Sequence, residues 1–233
     1  MGIAVRLGAL GVFGVIVAGI TATSPTRPAH ANQCLFNEPN NIEITLTRNE
    51  GPVQLITNRS QTELKRLQNR NGTSQAFGTG WTPVGLTLTE LKYQMRVSIE
   101  ARKIGPKSYC ARLTKVEAKI GYDKFNVFIA KKFRPGTCAY DSIREHELTH
   151  VSVFTSGLDE FYPRMRHRLE RATGAITTIK VSDPKLAAKR LQQRLRHTID
   201  PLFKEMNRTL NRRNGLLDTP ARYRLEQSRC SDW

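Results

Sequence analysis

Apolar positions recur along this chain with two different periods, and the change from one to the other predicts its architecture. Between Asn41 and Arg48, Ile42, Ile44 and Leu46 alternate with polar residues, as in a half-buried strand. Leu91, Tyr93, Met95, Val97 and Ile99 repeat that alternation, as do Val116, Ala118, Ile120 and Tyr122, and an apolar run follows from Phe125 to Phe133. Gly105-Pro106 and the stretch from Gly121 to Asp123 read as turns between the last three, so they predict an antiparallel β-meander. Residues 57–80 are rich in Asn, Gln, Ser, Thr, Gly and Arg and predict an exposed loop around one short helix, Gln61 to Arg70.

Past Arg134-Pro135-Gly136-Thr137 the period becomes helical. Thr137 suits an N-cap, residues 139, 143, 146, 150, 153 and 154 share one helical face, and Gly157 suits a C′ position. Leu158, Phe161, Met165, Leu169 and Ala172 predict a second helix turning back at Gly157. Asp183-Pro184 and Asp200-Pro201 each match an N-cap with proline at N1, predicting two further helices, or one kinked helix, to about Arg213. The stripe Ala188, Leu191, Leu195, Ile199, Leu202, Met206 and Leu210 assigns that region to the scaffold. The expected fold class is α+β: an antiparallel β-meander, one motif-bearing helix and a C-terminal set of helices.

The first residues belong to a different kind of segment. One early positive charge, about sixteen mostly apolar residues from Leu7 to Ala22 with four glycines, and Ala29-His30-Ala31 predict a signal peptide over residues 1–31, cleaved after Ala31. The run is short for a membrane span, and Cys34 is preceded by Ala31-Asn32-Gln33, not by a lipoprotein-type cleavage signal. A periplasmic or secreted protein follows. It divides into a catalytic α+β domain over 32–180 and a basic helical C-terminal extension over 181–233 packed on the same domain. Four cysteines predict two disulfides, with Cys110-Cys138 and Cys34-Cys230 the favoured pairing among three.

Net charge narrows the partners. After cleavage thirty-five cationic side chains face twenty acidic ones, a net of +15, which favours an anionic cell-envelope polymer or membrane surface. Nucleic acid is disfavoured, because no recognised binding motif is present and the basic C-terminal stretch carries almost no aromatic residues for stacking.

The predicted helix also carries chemistry. In His146-Glu147-Leu148-Thr149-His150 the two imidazoles lie about 40° apart on one face, one turn along, so both reach one ion. Zinc takes neutral nitrogen donors and keeps an open position for water, and a nearby carboxylate that is not a ligand accepts that water's proton. His146 and His150 are thus expected to bind one Zn2+ per chain, with Glu147 as general base. A catalytic zinc needs a third protein ligand. Glu170, twenty residues after His150, is the first candidate and His167 the alternative, on the premise that the chain turns back at Gly157. Tyr140, Tyr162 and His167 are candidate oxyanion donors, and Asp141 a candidate partner for a metal-bound imidazole.

From Val116 through the motif, Ile120-Gly121-Tyr122, then Cys138-Ala139-Tyr140-Asp141-Ser142-Ile143, then His146-Glu147-Leu148-Thr149-His150-Val151, the chain resembles an uncharacterised bacterial family of predicted secreted zinc-dependent proteases. The resemblance covers about the middle third of the chain. It implies a minimal zincin-like core with His146 and His150 as metal ligands and Glu147 as base. The expected function is an exported zinc-dependent metallopeptidase acting on a peptide or protein substrate; the alternative is a non-catalytic zincin-like scaffold that binds metal or cell envelope.

Overall fold

The computed structural model describes residues 3–5, 34–36, 39, 41–71 and 81–233. Apart from residues 3–5, the expected signal peptide and its cleavage point lie outside the described residues. The elements run β1 (Ile3–Val5), β2 (Glu43–Asn49), β3 (Val53–Arg59), α1 (Gln61–Arg70), β4 (Gly85–Gly105), β5 (Ser108–Ala130), α2 (Cys138–Gly174), β6 (Ile179–Val181), α3 (Pro184–Gly215) and α4 (Pro220–Gln227). Among the described residues no helix is long and apolar enough to cross a membrane.

The backbone of the fold is a long antiparallel hairpin of β4 and β5, 21 and 23 residues, paired from Gly85↔Ile129 to Gly105↔Ser108. Around it the sheet is mixed. β2 lies parallel to the first half of β5, Glu43↔Lys115 to Asn49↔Gly121, and β3 lies parallel to its second half from Val53↔Phe125. β1 is parallel to β4 at Thr87 to Thr89, and β6 is antiparallel to β5 at Tyr109 to Ala111. The architecture is α+β, but the expected antiparallel meander is not what forms.

The reason is local. Gly121 to Asp123, read as a turn, lies inside β5, so the second and third expected strands are one. Gly121 has φ +138°, and a Cβ there would lie 1.9 Å from the Asn49 carbonyl oxygen. Its lack of a side chain admits a close neighbouring backbone rather than a reversal. Opposite it, Gly51 at φ +68° bends the chain between β2 and β3 so that both follow one edge of β5.

α2 and α3 cover one face of the sheet, while Thr45, Thr47, Gln94, Arg96, Glu117 and Lys119 stay exposed on the other. Alternation therefore divides the hairpin into an apolar and a wet face. Tyr122, Phe125 and Phe154 form an aromatic cluster with centroids 4.9–6.2 Å apart beneath α2. Each fully buried side chain of this size contributes about 1.5–3 kcal/mol, and favourable ring geometry adds about 0.5–1.5 kcal/mol per pair.

α2 is one helix of 37 residues and does not turn back at Gly157. A Cβ at Gly157 would lie 2.0 Å from Leu210 Cδ2, so that glycine is a contact point with α3, not a helix end. α3 likewise runs as one helix of 32 residues through Pro201. The disulfides are Cys34–Cys110 and Cys138–Cys230, which corrects the expected Cys110-Cys138 and Cys34-Cys230 pairing. Cys110 is sealed in the β5 core beside the N-terminal segment, whereas Cys138 opens α2 where the chain's last residues arrive. Two disulfides fit a protein outside the reducing cytosol.

Gly121→Ala should lower stability by about 3 kcal/mol, because the added methyl meets backbone that has no rotamer to yield. Denaturant unfolding measures this, and a loss under 1 kcal/mol would show that β5 tolerates a side chain there.

Candidate metal centre

Thr137 starts α2 by accepting a hydrogen bond from the Tyr140 amide, and the helix then carries His146, Glu147 and His150 inward against the β4–β5 hairpin. Two turns separate the N-cap from the motif. Glu147 leans on β4. The Thr87 hydroxyl donates to Glu147 Oε2 at 2.7 Å, and Gly85 leaves room for the carboxylate, since a Cβ there would sit 2.4 Å from Oε1. Oε1 is buried without a hydrogen-bond partner among the described residues. Burial pushes the Glu147 carboxyl up from its ordinary pKa, and the charges of His150 and His146 oppose that less strongly.

The third group comes from the far end of the chain. After α3 ends at Gly215, the chain turns through Leu216 and Leu217, places Asp218 beside the histidines, and enters α4 with Thr219 as N-cap and Pro220 at the first position. His146 Nε2 and His150 Nε2 are 3.0 Å apart, and Asp218 Oδ1 lies 3.3 and 3.2 Å from them. α4 turns Tyr223 and Glu226 toward the same point. The Tyr223 hydroxyl donates to Asp218 Oδ1, and its ring lies 5.2 Å from that of His146.

The outer nitrogens of both imidazoles are held. His146 Nδ1 lies 2.9 Å from Glu226 Oε2, and that hydrogen bond keeps the Glu226 carboxyl low against the opposing effect of burial. His150 Nδ1 lies 3.0 Å from Asn214 Oδ1; Asn214 Nδ2 is committed to the Leu210 carbonyl at 2.9 Å, so its oxygen must face the ring. Both Nδ1 atoms therefore donate, and in the neutral rings both Nε2 atoms present lone pairs. Two lone pairs and a carboxylate oxygen then face one another within about a van der Waals diameter, an arrangement that a metal cation or a shared proton relieves. With donors at about 2.0–2.1 Å, a tetrahedral zinc has edges of about 3.3–3.4 Å, close to this triangle. The residues fit a divalent ion, with Glu226 and Asn214 orienting its two imidazoles.

His146, His150 and Asp218 form a metal-capable group, all three buried. The other places expected for a third ligand are elsewhere. Because α2 continues straight, Glu170 lies about 30 Å of helix beyond His150, and both it and His167 are exposed. Neither reaches the imidazoles. Tyr162 donates to the Leu46 carbonyl at 2.6 Å, Tyr140 packs in the smaller core cluster, and Asp141 is exposed in the first turn. Sequence spacing missed Asp218, Tyr223, Glu226 and Asn214, which lie 64 to 80 residues from their histidine partners or contact them through those partners. The one local sign was polar residues on the inward side of two short C-terminal turns.

The C-terminal segment is fastened to α2 twice and to the loop before it once. Cys230 bonds Cys138, Asp232 Oδ1 accepts from the Ala139 amide at 3.0 Å, and the Trp233 ring lies 5.8 Å from Phe133. The site is closed: His146 is 3% exposed, Glu147 and His150 0%, Asp218 and Glu226 8%.

Burial alone would lower the His146 pKa, but Asp218 and Glu226 outweigh it and push it up to about 9, while the histidines hold Asp218 well below the ordinary carboxylate range. A histidine raised in the folded state stabilises fully below its unfolded pKa of about 6.5 and stops doing so as pH rises through the folded value. Chelator-treated protein should therefore lose melting temperature from about pH 6.5 to 9, and a saturating divalent ion should remove most of that loss by taking the proton's place. Parallel melting curves with and without the ion would contradict the shared position.

No protein-family model, curated protein or solved structure matches this chain.

Proposed function

We propose that the chain is a zinc-dependent hydrolase of peptide bonds, with His146, His150 and Asp218 as ligands and Glu147 as general base. One observation carries this reading: two imidazole lone pairs and a carboxylate oxygen converge within 3.0–3.3 Å while a separate buried carboxylate keeps one oxygen unpartnered. Three protein donors with a non-ligating carboxylate beside them is the arrangement of a catalytic, not a structural, zinc. The two disulfides agree with an exported setting.

A zinc ion held by these donors would supply Lewis acidity and bring the pKa of a water in its fourth position to about 7. Glu147 then has two duties. Oε2 is anchored by Thr87, so Oε1 is free to accept a proton from the attacking water and to return it to the leaving amine. Burial, which raises its pKa, makes the carboxylate a stronger base toward that proton. Glu226 and Asn214 keep the imidazoles in the ligating tautomer. Tyr223 spends its one hydroxyl proton on Asp218 Oδ1 and so positions that carboxylate beside the histidines.

A second reading has its own support. The near-complete burial of His146, Glu147 and His150 favours a closed metal site that stabilises the fold without turnover. Substrate cleavage decides between them. Purified protein should hold close to one zinc per chain, and Asp218→Ala should weaken zinc binding at least 100-fold, while Glu170→Ala and His167→Ala leave it unchanged. Competition with a chromogenic chelator measures this. Glu147→Gln should keep the metal and lower kcat/KM on a peptide library by about 10²–10⁴-fold, and Gly85→Ala, which crowds Oε1, should do so more mildly. Cleavage by Glu147→Gln at the original rate would sink the mechanism. A zinc-loaded chain that cleaves no peptide yet melts lower on chelation would establish the closed-site reading instead.

A further inference from the structure

The chain's charge of +17 is concentrated on one part of the fold. Residues 164–213 contain fourteen lysines and arginines against four acids, a net of +10. Within that stretch α3 buries Leu191, Leu195, Ile199, Leu202, Met206 and Leu210. Arg190, Arg194, Lys204, Arg208 and Arg212 lie on the opposite side and are exposed. Their spacing stays close to whole turns over twenty-two residues, so they form a stripe about 33 Å long. α2 adds to it. Arg164 and Glu160 reach α3 through ion pairs with Glu205 at 2.8 Å and Arg213 at 2.6 Å, and the exposed Arg171 lies two turns past Arg164 on the same flank.

Those two ion pairs engage Glu205 of α3 and Glu160 of α2. Among the described residues, Arg171, Arg190, Arg194, Lys204, Arg208 and Arg212 make no ion pair. Six like charges along one rigid helical pair repel one another, and a line of anions would relieve that while releasing its counterions. Five of the six are arginines, whose planar fork matches oxyanions two-pronged. The stripe offers little to a bilayer interior: Leu186 and Leu216, at the two ends of α3, are its only large exposed apolar residues. Length, charge and the lack of an apolar wedge fit a thread of anions, not a lipid surface.

We propose that the outer flank of α2 and α3 is a docking surface for a linear polyanion with closely spaced oxyanion groups, as in a phosphate-rich envelope polymer. Arg171 lies about 32 Å of helix beyond His150, while Arg212 at the other end of the stripe lies two residues before Asn214, so a docked polymer runs from the metal-site end of α3 outward and holds the protein on its matrix. This surface does not depend on the site being catalytic.

Long-chain polyphosphate is the probe, at about 0.15 M salt with full-length mature protein. Replacing Arg190, Arg194, Lys204 and Arg208 by Gln should weaken binding at least 30-fold and flatten its salt dependence. Replacing Lys65, Arg66, Lys103 and Lys119, exposed cations of α1 and the sheet, by Gln removes the same charge and should weaken it less than 3-fold. Zinc content and melting temperature should stay unchanged in both. Equal losses in the two variants would reduce the effect to net charge and overturn the proposal. So would tighter binding to vesicles of anionic phospholipid than to the polymer. Should the first variant fold poorly, the unaltered protein answers: polyphosphate should slow acetylation of Lys204 relative to Lys65 and Lys119, and uniform protection would overturn the assignment.

Discussion

The molecule depends on bringing three electron-rich atoms to within 3.0–3.3 Å of one another inside a dry interior. Left alone, such a group repels itself and pays heavily for lost hydration. A cation or a proton at the centre turns that repulsion into attraction. The upward displacement of His146 and the downward displacement of Asp218 are the same fact seen from two partners: without a metal, a proton is drawn to the centre. The outer hydrogen bonds to Glu226 and Asn214 prevent the simplest escape, a change of tautomer.

Keeping the donors there is a task for the whole fold. The long β4–β5 hairpin supplies a stiff floor, and Gly85 and Thr87 at its start seat the Glu147 carboxylate. α2 spans the sheet without a break, so its first third presents the motif while its remainder packs with α3 over the main core. α3 returns the chain to the motif, which is how a residue 68 positions after His150 becomes its neighbour. The disulfide at Cys138, the Asp232 cap and Trp233 then hold the returning segment against the helix that carries the histidines. Bond by bond the clamp is modest, but a covalent loop of 92 residues removes much of the freedom the segment would have when unfolded.

Charge is distributed with equal consequence. Acidic groups gather where the imidazoles are, at Glu147, Asp218 and Glu226, while the basic excess lies along the α2–α3 flank. Even the ion pairs that cross between α2 and α3 are exposed, so they contribute at most about 1 kcal/mol each.

The chain's own pattern determined the local elements: the alternation of Leu91 to Ile99, the short helix Gln61–Arg70, the Thr137 cap and a helical His146-Glu147-Leu148-Thr149-His150. Each of these depends on neighbours within a few residues, where period and capping act. What lay beyond that range went to tertiary structure. Gly121 and Gly157 read as breaks, yet one admits the backbone of β2 and the other the side chain of Leu210, and a missing side chain looks the same in a sequence whether it serves a turn or a contact. The parallel placement of β2 and β3, the disulfide pairing and the choice of Asp218 over Glu170 all follow from those two continuities. A straight α2 carries Glu170 away and an unbroken α3 brings Asp218 back, a decision made by the packing of two helices on a sheet and invisible to spacing along the chain.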